Sequence, residues 1–157
     1  MKKMEVVVIL AVLGLDALTK TLTSTLIPFG ETVTVIPNFF WLTYVTNTGA
    51  AWSFLSDAPW FFTVLGSVAS VVILALLIKA KPNQPWYRYA LVFLFAGAFG
   101  NVIDRLMYGH VRDFLAFNLF GYPFPVFNVA DISLNVGVGC MLLDAVLDEL
   151  KKKRNHA

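Results

Sequence analysis

Two aspartates, Asp113 and Asp131, are the residues of this chain best suited to do chemistry. Neither has a basic residue at helical spacing to neutralise it, and the 17 residues between them (114–130) are enough to bring them together. Two carboxylates in a partly dry cleft repel as anions and share one proton, which gives one acid and one base at neutral pH. Such a pair can activate water against an amide and protonate the developing oxyanion. The simpler alternatives are a solvated loop acid for Asp113 and a favourable first-turn carboxylate for Asp131.

Five further polar residues recur at helical spacing within apolar runs. Asp16 and Lys20 are four apart, so on a helix they share a face and can neutralise each other. An ion pair joining the first helix to its neighbours is the preferred interpretation, over a direct chemical role. Asn101, Asp104 and Arg105 are separated by three and four positions, and we expect all three to face one cleft.

Other reaction classes find little support in the sequence. It contains no His-Glu-x-x-His zinc motif, no Gly-x-Ser-x-Gly elbow and no phosphate-binding glycine loop. The only cysteine, Cys140, lies in an apolar run, and the only histidines are His110 and His156. We therefore expect no metal and no cofactor. A net charge of +2 does not favour nucleic acid as a partner.

The composition indicates the environment that must hold these residues. Of 157 residues, 58% are hydrophobic and only 14% are charged, and the mean hydropathy is +0.71, whereas soluble domains carry about 25% charged residues. A membrane-spanning helix needs about 20 apolar residues. Four spans fit, at about residues 5–27, 60–78, 88–106 and 129–149.

The basic residues predict the orientation of these spans. Nine of the twelve Lys and Arg residues fall on alternate loops and tails: Lys2, Lys3, Lys79, Lys81, Arg88, Lys151, Lys152, Lys153 and Arg154. By the positive-inside rule, both termini are cytoplasmic. Residues 28–59 and 106–128 then lie on the opposite face, where 106–128 forms a return loop.

The segment between the first two spans favours short β-strands. Residues 31–46 are rich in Thr, Val and aromatic residues with partial alternation, and Pro37 and Asn38 supply a turn. The predicted fold is thus a mainly α membrane protein, with four transmembrane helices and a small β-rich extracytoplasmic segment at about 28–59. We treat residues 1–157 as one domain. The aromatic residues of this segment, Trp52 among them, suit a membrane interface, and we also consider a lid over the cleft.

The motifs of the chain, taken in order, resemble those of the bacterial lipoprotein signal peptidases, the type II signal peptidases. The match extends over nearly the whole chain. It rests on DALTK (16–20), NTGAAWS (47–53), Gly97 with GNVIDR (100–105), VRDF (111–114) and NVAD (128–131).

The resemblance implies an aspartic endopeptidase that cleaves the signal peptide from diacylglyceryl-modified prolipoproteins, immediately before the lipidated cysteine. It implies that Asp113 and Asp131 are the catalytic dyad. The residues implied to bind substrate or support the site are Asn47, Gly49, Asn101, Arg105, Asn128, Asp104, Asp16 and Lys20. We expect a monomer in the bacterial cytoplasmic (inner) membrane that contacts membrane lipid, with its active site facing the extracytoplasmic side.

Two positions depart from the family pattern. Ile132 stands where a small polar residue is expected, and Arg112 where an apolar residue is usual. An inward-pointing Arg112 would stabilise ionised Asp113 and favour it as the base. The competing classes are a small transporter or channel and a non-catalytic scaffold, because intramembrane acids also form ion pathways.

Overall fold

Four long helices dominate the computed structural model, which describes residues 1–49 and 59–156. They are α1 (Lys3–Leu26), α2 (Pro59–Lys79), α3 (Pro85–Tyr108) and α4 (Val129–His156). All four are long and apolar enough to cross a membrane, and their exposed surfaces are largely Leu, Val, Ile and Phe. Such side chains are stable in lipid and costly in water, so the expected set of four spans is confirmed.

Helix α3 is the centre of the bundle. It packs against α1, α2 and α4, and half of its most apolar window is buried inside the protein, against 11% for α2. The apolar core forms where α1, α2 and α3 meet, around Ile9, Leu77, Leu91 and Val92. Polar residues of α3 can therefore avoid lipid only by facing another helix or the sheet.

Two glycines allow α3 and α4 to approach closely. A Cβ on Gly97 of α3 would overlap the Ala130 carbonyl oxygen and lie 2.9 Å from the Leu134 nitrogen. A Cβ on Gly137 of α4 would lie 2.9 Å from the backbone nitrogen of Leu94. Small residues at such crossings bring backbones into contact and strengthen packing between membrane helices. The beginning of α4 is thereby placed beside α3.

A four-stranded antiparallel sheet lies at one end of the bundle. Its strands are β1 (Thr32–Ile36), β2 (Phe40–Asn47), β3 (Val111–Leu119) and β4 (Tyr122–Pro123), and their order in the sheet follows the chain. The β1–β2 turn contains Asn38 with φ of 61°, a left-handed conformation that asparagine tolerates. The predicted strands and turn of the 31–46 segment are confirmed.

The prediction of a return loop at 106–128 is wrong, because half of the sheet comes from this segment. Gly109, with φ of 78°, ends α3 in a left-handed cap, and β3 begins two residues later. Strand β3 then pairs with β2 along most of its length, with Phe40 opposite Phe117 and Asn47 opposite Val111. The strand is stabilised by a partner more than 60 residues away, which local patterning does not reveal.

An ion pair ties the other end of the bundle together. Arg88 of α3 donates to both carboxylate oxygens of Glu5, at 2.7 and 2.8 Å, and also to the Ala80 carbonyl. The Lys2 ammonium donates to the Pro82 carbonyl at 3.3 Å. Arg88 is therefore buried and paired, whereas the other basic residues among the topological markers are exposed. The start of α1 and the α2–α3 turn lie on the same side of the bundle.

The glycine contacts generate a stability prediction. Gly97→Ala and Gly137→Ala each place a methyl group against backbone atoms of the facing helix, so we expect each to lower the free energy of unfolding by about 1–3 kcal/mol. Thermal unfolding of the purified protein in detergent measures the effect.

Gly139→Ala is the matched control, because a Cβ on Gly139 of α4 has nothing within 4 Å. Alanine has the higher helix propensity, so this variant should be neutral or slightly more stable. An equal loss of stability in all three variants would contradict the close-packing explanation.

Candidate active site

Both of the aspartates that the sequence singles out line one cavity, which has a volume of about 840 Å³. Asp113 lies on β3 and is 3% exposed, whereas Asp131 lies in the first turn of α4 and is half-buried. Helices α2, α3 and α4 form the walls together with residues 124–127. Four of the predicted supporting residues also line this cavity: Asn47, Gly49, Asn101 and Arg105.

Asn128 connects the two aspartates. Its side-chain amide donates to Asp113 Oδ1 at 2.6 Å, and its backbone N–H donates to Asp131 Oδ2 at 3.2 Å. Its own Oδ1 accepts the Asp131 N–H at 3.0 Å. This reciprocal pattern is a capping box at the start of α4, with aspartate in the position that usually holds glutamate. The local bonds that begin the helix also orient one carboxylate and hold the other.

Two more asparagines bind the second oxygen of each carboxylate. Asn101 of α3 donates to Asp131 Oδ1 at 2.8 Å, and Asn47 of β2 donates to Asp113 Oδ2 at 3.2 Å. Asn47 is itself oriented by the Gly49 N–H, which donates to its Oδ1 at 3.0 Å. Each carboxylate is therefore held by amide donors, from elements that are distant in sequence.

This environment changes the acidity of one member of the pair. Burial and the nearby charge of Asp131 raise the pKa of the Asp113 carboxyl to about 7, although the hydrogen bonds from Asn128 and Asn47 lower it. Asp113 therefore exchanges its proton close to neutral pH. Two coupled carboxylates with one proton between them can supply an acid and a base together.

Arg105 brings a positive charge to the same cavity. Its guanidinium donates to the Gly49 carbonyl at 3.1 Å and lies 5.8 Å from the centre of the Phe62 ring. Its buried Nε has no hydrogen-bond partner among the residues that the structure describes. A buried N–H without a partner is unfavourable, so this donor is available to a group that enters the cavity.

Asp16 and Lys20 form the ion pair that their spacing predicts. The Lys20 ammonium lies 2.8 Å from Asp16 Oδ2 and donates to Asn101 Oδ1 at 3.0 Å. Asp16 also accepts the backbone N–H of Ala130, at 2.8 Å, in the first turn of α4. The pair is buried behind the cavity rather than in it, and it joins α1 to α3 and α4.

The expectation that Asp104 faces one cleft with Asn101 and Arg105 is wrong. Asp104 points instead to Lys20, at 3.5 Å, and to the guanidinium of Arg112, at 2.8 Å. It also accepts the Arg112 backbone N–H at 3.0 Å. The reason is electrostatic, because this orientation gives a buried carboxylate two cations.

The hypothesis that Arg112 stabilises ionised Asp113 is also wrong. Successive side chains of a strand point to opposite faces, so Arg112 and its neighbour Asp113 diverge. The Arg112 guanidinium pairs with Asp104 and lies 4.4 Å from the centre of the Tyr108 ring. Its charge is used to fix the beginning of β3 against the end of α3.

The cavity also contains side chains that the sequence analysis missed. Helix α2 contributes Phe62, Leu65 and Ala69, and the segment after β4 contributes Phe124 and Phe127. In the sequence, the α2 residues look like ordinary lipid-facing residues, so no signal marks them as part of a cavity.

Part of one motif cannot be placed. Residues 50–53 of NTGAAWS, and with them Trp52 and its lid role, lie outside the described residues. Within the described ranges, no group of three or more His, Cys, Asp or Glu residues is arranged to hold a metal ion.

Comparison with known proteins places the chain in a family. Residues 8–147 match the family model for signal peptidase (SPase) II. The lipoprotein signal peptidase of Enterococcus faecalis is 47% identical over 140 residues, which cover 89% of this chain and 86% of that protein. The lipoprotein signal peptidase of Staphylococcus haemolyticus is 40% identical over 149 residues, which cover 95% and 94%.

A solved structure supports the same conclusion. It is described as a bacterial membrane enzyme determined by the in meso method at 2.3 Å resolution, and it superposes with a TM-score of 0.87 at 36% identity. The superposition covers 96% of this chain and 91% of that one. The resemblance drawn from the motifs is thus confirmed, and this chain belongs to the signal peptidase II family of aspartic peptidases.

Proposed function

We propose that Asp113 and Asp131 are the catalytic dyad with which this signal peptidase II cleaves signal peptides from prolipoproteins. Membership of a peptidase family sets aside the transporter and scaffold alternatives for the chain. One observation carries the assignment to these residues. Two carboxylates share one cavity, held by amides, and the pKa of one of them is raised to about 7.

The protonation state suggests how the two acids divide the work. Asp113 is the more buried and holds the shared proton, so Asp131 is the base. Asp131 takes a proton from a water that attacks the scissile carbonyl, while Asp113 donates its proton to the oxygen that becomes negative. When the tetrahedral intermediate collapses, the C–N bond breaks, Asp131 gives the leaving nitrogen the proton it took from water, and Asp113 takes back the proton of the hydroxyl group that becomes the new carbonyl.

The amides around the dyad would keep the acids in this arrangement through the reaction. Asn128 and Asn47 hold Asp113, and Asn101 holds Asp131, so neither carboxylate has to reorient when the proton moves. We assign the unpartnered Nε of Arg105 and the adjacent loop at Gly49 to binding the substrate backbone. Asp16, Lys20 and Asp104 support the site from behind.

The position of the cavity suits a lipid-modified substrate. Its walls include apolar residues of α2 and α4, both of which are largely exposed on their other faces. We propose that the two acyl chains of a diacylglyceryl-modified prolipoprotein stay in the bilayer while the scissile bond reaches the dyad. Cleavage would fall immediately before the lipidated cysteine. All the residues assigned to the site come from this chain, so the proposed reaction needs no second copy, and we propose a monomer that acts as a single membrane domain.

We further propose that the dyad faces the extracytoplasmic side of the bacterial cytoplasmic membrane. The start of α1 and the α2–α3 turn share one side, which carries Lys2, Lys79 and Lys81, and the sheet lies at the other. Basic residues favour the cytoplasmic face, so the positive-inside rule puts both termini there.

Substitution of the dyad is the direct test of the assignment. Asp113→Asn and Asp131→Asn preserve side-chain volume but remove an acid and a base, so each should lower the cleavage rate by about 10²–10⁴-fold or more. The assay follows cleavage of a diacylglyceryl-modified precursor by purified protein, with folding and precursor binding measured separately.

Asp148→Asn is the matched control, because Asp148 is an exposed aspartate on the same helix as Asp131. It should cleave at the wild-type rate. The assignment fails if either dyad variant folds, binds the precursor and still cleaves like the wild type.

The pKa of Asp113 predicts the basic limb of the pH–activity profile. Activity needs the proton on Asp113, so it should fall as pH rises through about 7. Asn47→Ala removes a donor that stabilises the ionised form, so the pKa of Asp113 should rise and the basic limb should move to higher pH.

The pH dependence of kcat/KM measures this shift. Asn135→Ala provides the control, since Asn135 lines the same cavity but donates to the Asp131 backbone carbonyl and leaves the carboxylates alone. A limb that stays in place in Asn47→Ala, or moves equally in Asn135→Ala, contradicts the role given to Asp113.

The orientation can be tested by cysteine labelling in a Cys140→Ser background. Glu31→Cys lies beside the sheet and should react with a membrane-impermeant maleimide in intact spheroplasts. Lys153→Cys, near the end of α4, should react only after permeabilisation. The reverse pattern would place the dyad on the cytoplasmic side.

A further inference from the structure

A second cavity lies beside α1, apart from the one that holds the aspartates. It has a volume of about 450 Å³ and is bounded on one side by the last turns of α1, where Thr19, Leu22 and Leu26 line it. Its other side is the sheet, with one apolar residue from each of three strands: Val33, Leu42 and Phe114. We call it the α1–sheet groove.

The walls of the α1–sheet groove offer no free hydroxyl proton to a polar ligand. Its two hydroxyl groups are used within α1: Thr19 donates to the Leu15 carbonyl at 2.7 Å, and Thr23 donates to the Thr19 carbonyl at 2.8 Å. The remaining lining residues are Leu, Ile, Val and Phe. In the described lining, these two threonine oxygens can still accept a hydrogen bond but have no proton to donate, so the groove is a poor site for a trapped water. An apolar occupant is therefore favoured.

The groove is continuous with the surface that α1 presents to lipid. Leu22 and Leu26 line it and are 48% and 74% exposed, within a helix that is long and apolar enough to span the membrane. The groove therefore opens onto the lipid-facing side of α1, at the end of the helix that meets the sheet. Its volume is within the range of about 300–1,000 Å³ of cavities that hold small ligands.

The α1–sheet groove is separate from the cavity that would receive the substrate. Asp113 lines the catalytic cavity, whereas the next residue, Phe114, lines the groove, and neighbouring side chains of a strand point to opposite faces. The two cavities share no lining residue among those described. A chain tethered next to the scissile bond would have to cross β3 to enter the groove.

From these observations we infer that the α1–sheet groove binds one acyl chain of a bilayer phospholipid. The lipid supports the face of β3 opposite Asp113. Phe114 lines the groove and follows Asp113 directly, so filling the groove restrains the strand that carries Asp113. The binding itself does not depend on the catalytic assignment, although its effect on activity does.

Photo-crosslinking with a lipid tests the inference directly. Full-length protein is stripped of lipid in detergent, and one equivalent of phosphatidylglycerol carrying a diazirine in its acyl chain is added. After irradiation, mass spectrometry maps the labelled residues. We expect label concentrated on residues 22–27 and on Val33.

Variants distinguish a lipid bound in the groove from lipid that covers the rest of the protein surface. Leu42→Trp fills the groove and should abolish this label, and Leu10→Trp, on a lipid-facing part of α1 outside the groove, should leave it unchanged. Val33→Trp fills the groove from its exposed rim and replaces Leu42→Trp if that variant does not fold. Label spread evenly over all four helices, or label that persists in the filled variants, would overturn the inference.

The same samples report on function. Phosphatidylglycerol should raise the Tm and the cleavage rate of lipid-stripped wild type, and it should change neither in a folded, groove-filled variant. An equal gain in the filled variant contradicts the groove as the lipid's site. Because labelling needs no turnover, it can succeed even if the dyad assignment fails.

Discussion

The buried ammonium of Lys20 is the interaction on which the rest of the site depends. It contacts Asp16 on its own helix and both Asn101 and Asp104 on α3. From there, Asp16 holds the first turn of α4, Asn101 holds Asp131, and Asp104 holds Arg112 at the start of β3. An isolated charge inside a membrane protein is very costly, so each of these partners is required by its neighbour. The arrangement that neutralises the charges therefore also fixes where the two aspartates lie.

Asparagine is well suited to the next layer because it can donate and accept at once. Asn101 accepts from Lys20 and from Asn128 while donating to Asp131, and Asn128 accepts from the α4 backbone while donating to Asp113. A cation in the same position would stabilise the carboxylates as anions and lower their pKa. An amide orients the acids while leaving the exchangeable proton available at neutral pH.

The sequence predicted the parts of this arrangement that depend on local spacing. The spans, the Asp16–Lys20 pair and the β1–β2 turn each follow from a short stretch of chain and a simple rule. Strand β3 does not, because it is stabilised by β2, which lies more than 60 residues away in the sequence. The orientation of Asp104 could not be predicted from the sequence either. Positions 101, 104 and 105 can share a helix face, and only the location of Lys20 and Arg112 determines that Asp104 lies outside the cavity that Asn101 and Arg105 line.

The contrast between Asp16 and Asp104 on one side and Asp113 and Asp131 on the other supports assigning the chemistry to the second pair. Asp16 and Asp104 each have a cation within 4 Å, so the charge of each is balanced in a structural ion pair. Asp113 and Asp131 have amide donors, and Arg105, the cation among the described residues that line their cavity, is hydrogen-bonded to Gly49 instead. Arg112, adjacent to Asp113 in sequence, is drawn away by Asp104. Burial and the charge of Asp131 therefore raise the pKa of Asp113, and a proton held near neutral pH can be given to a substrate.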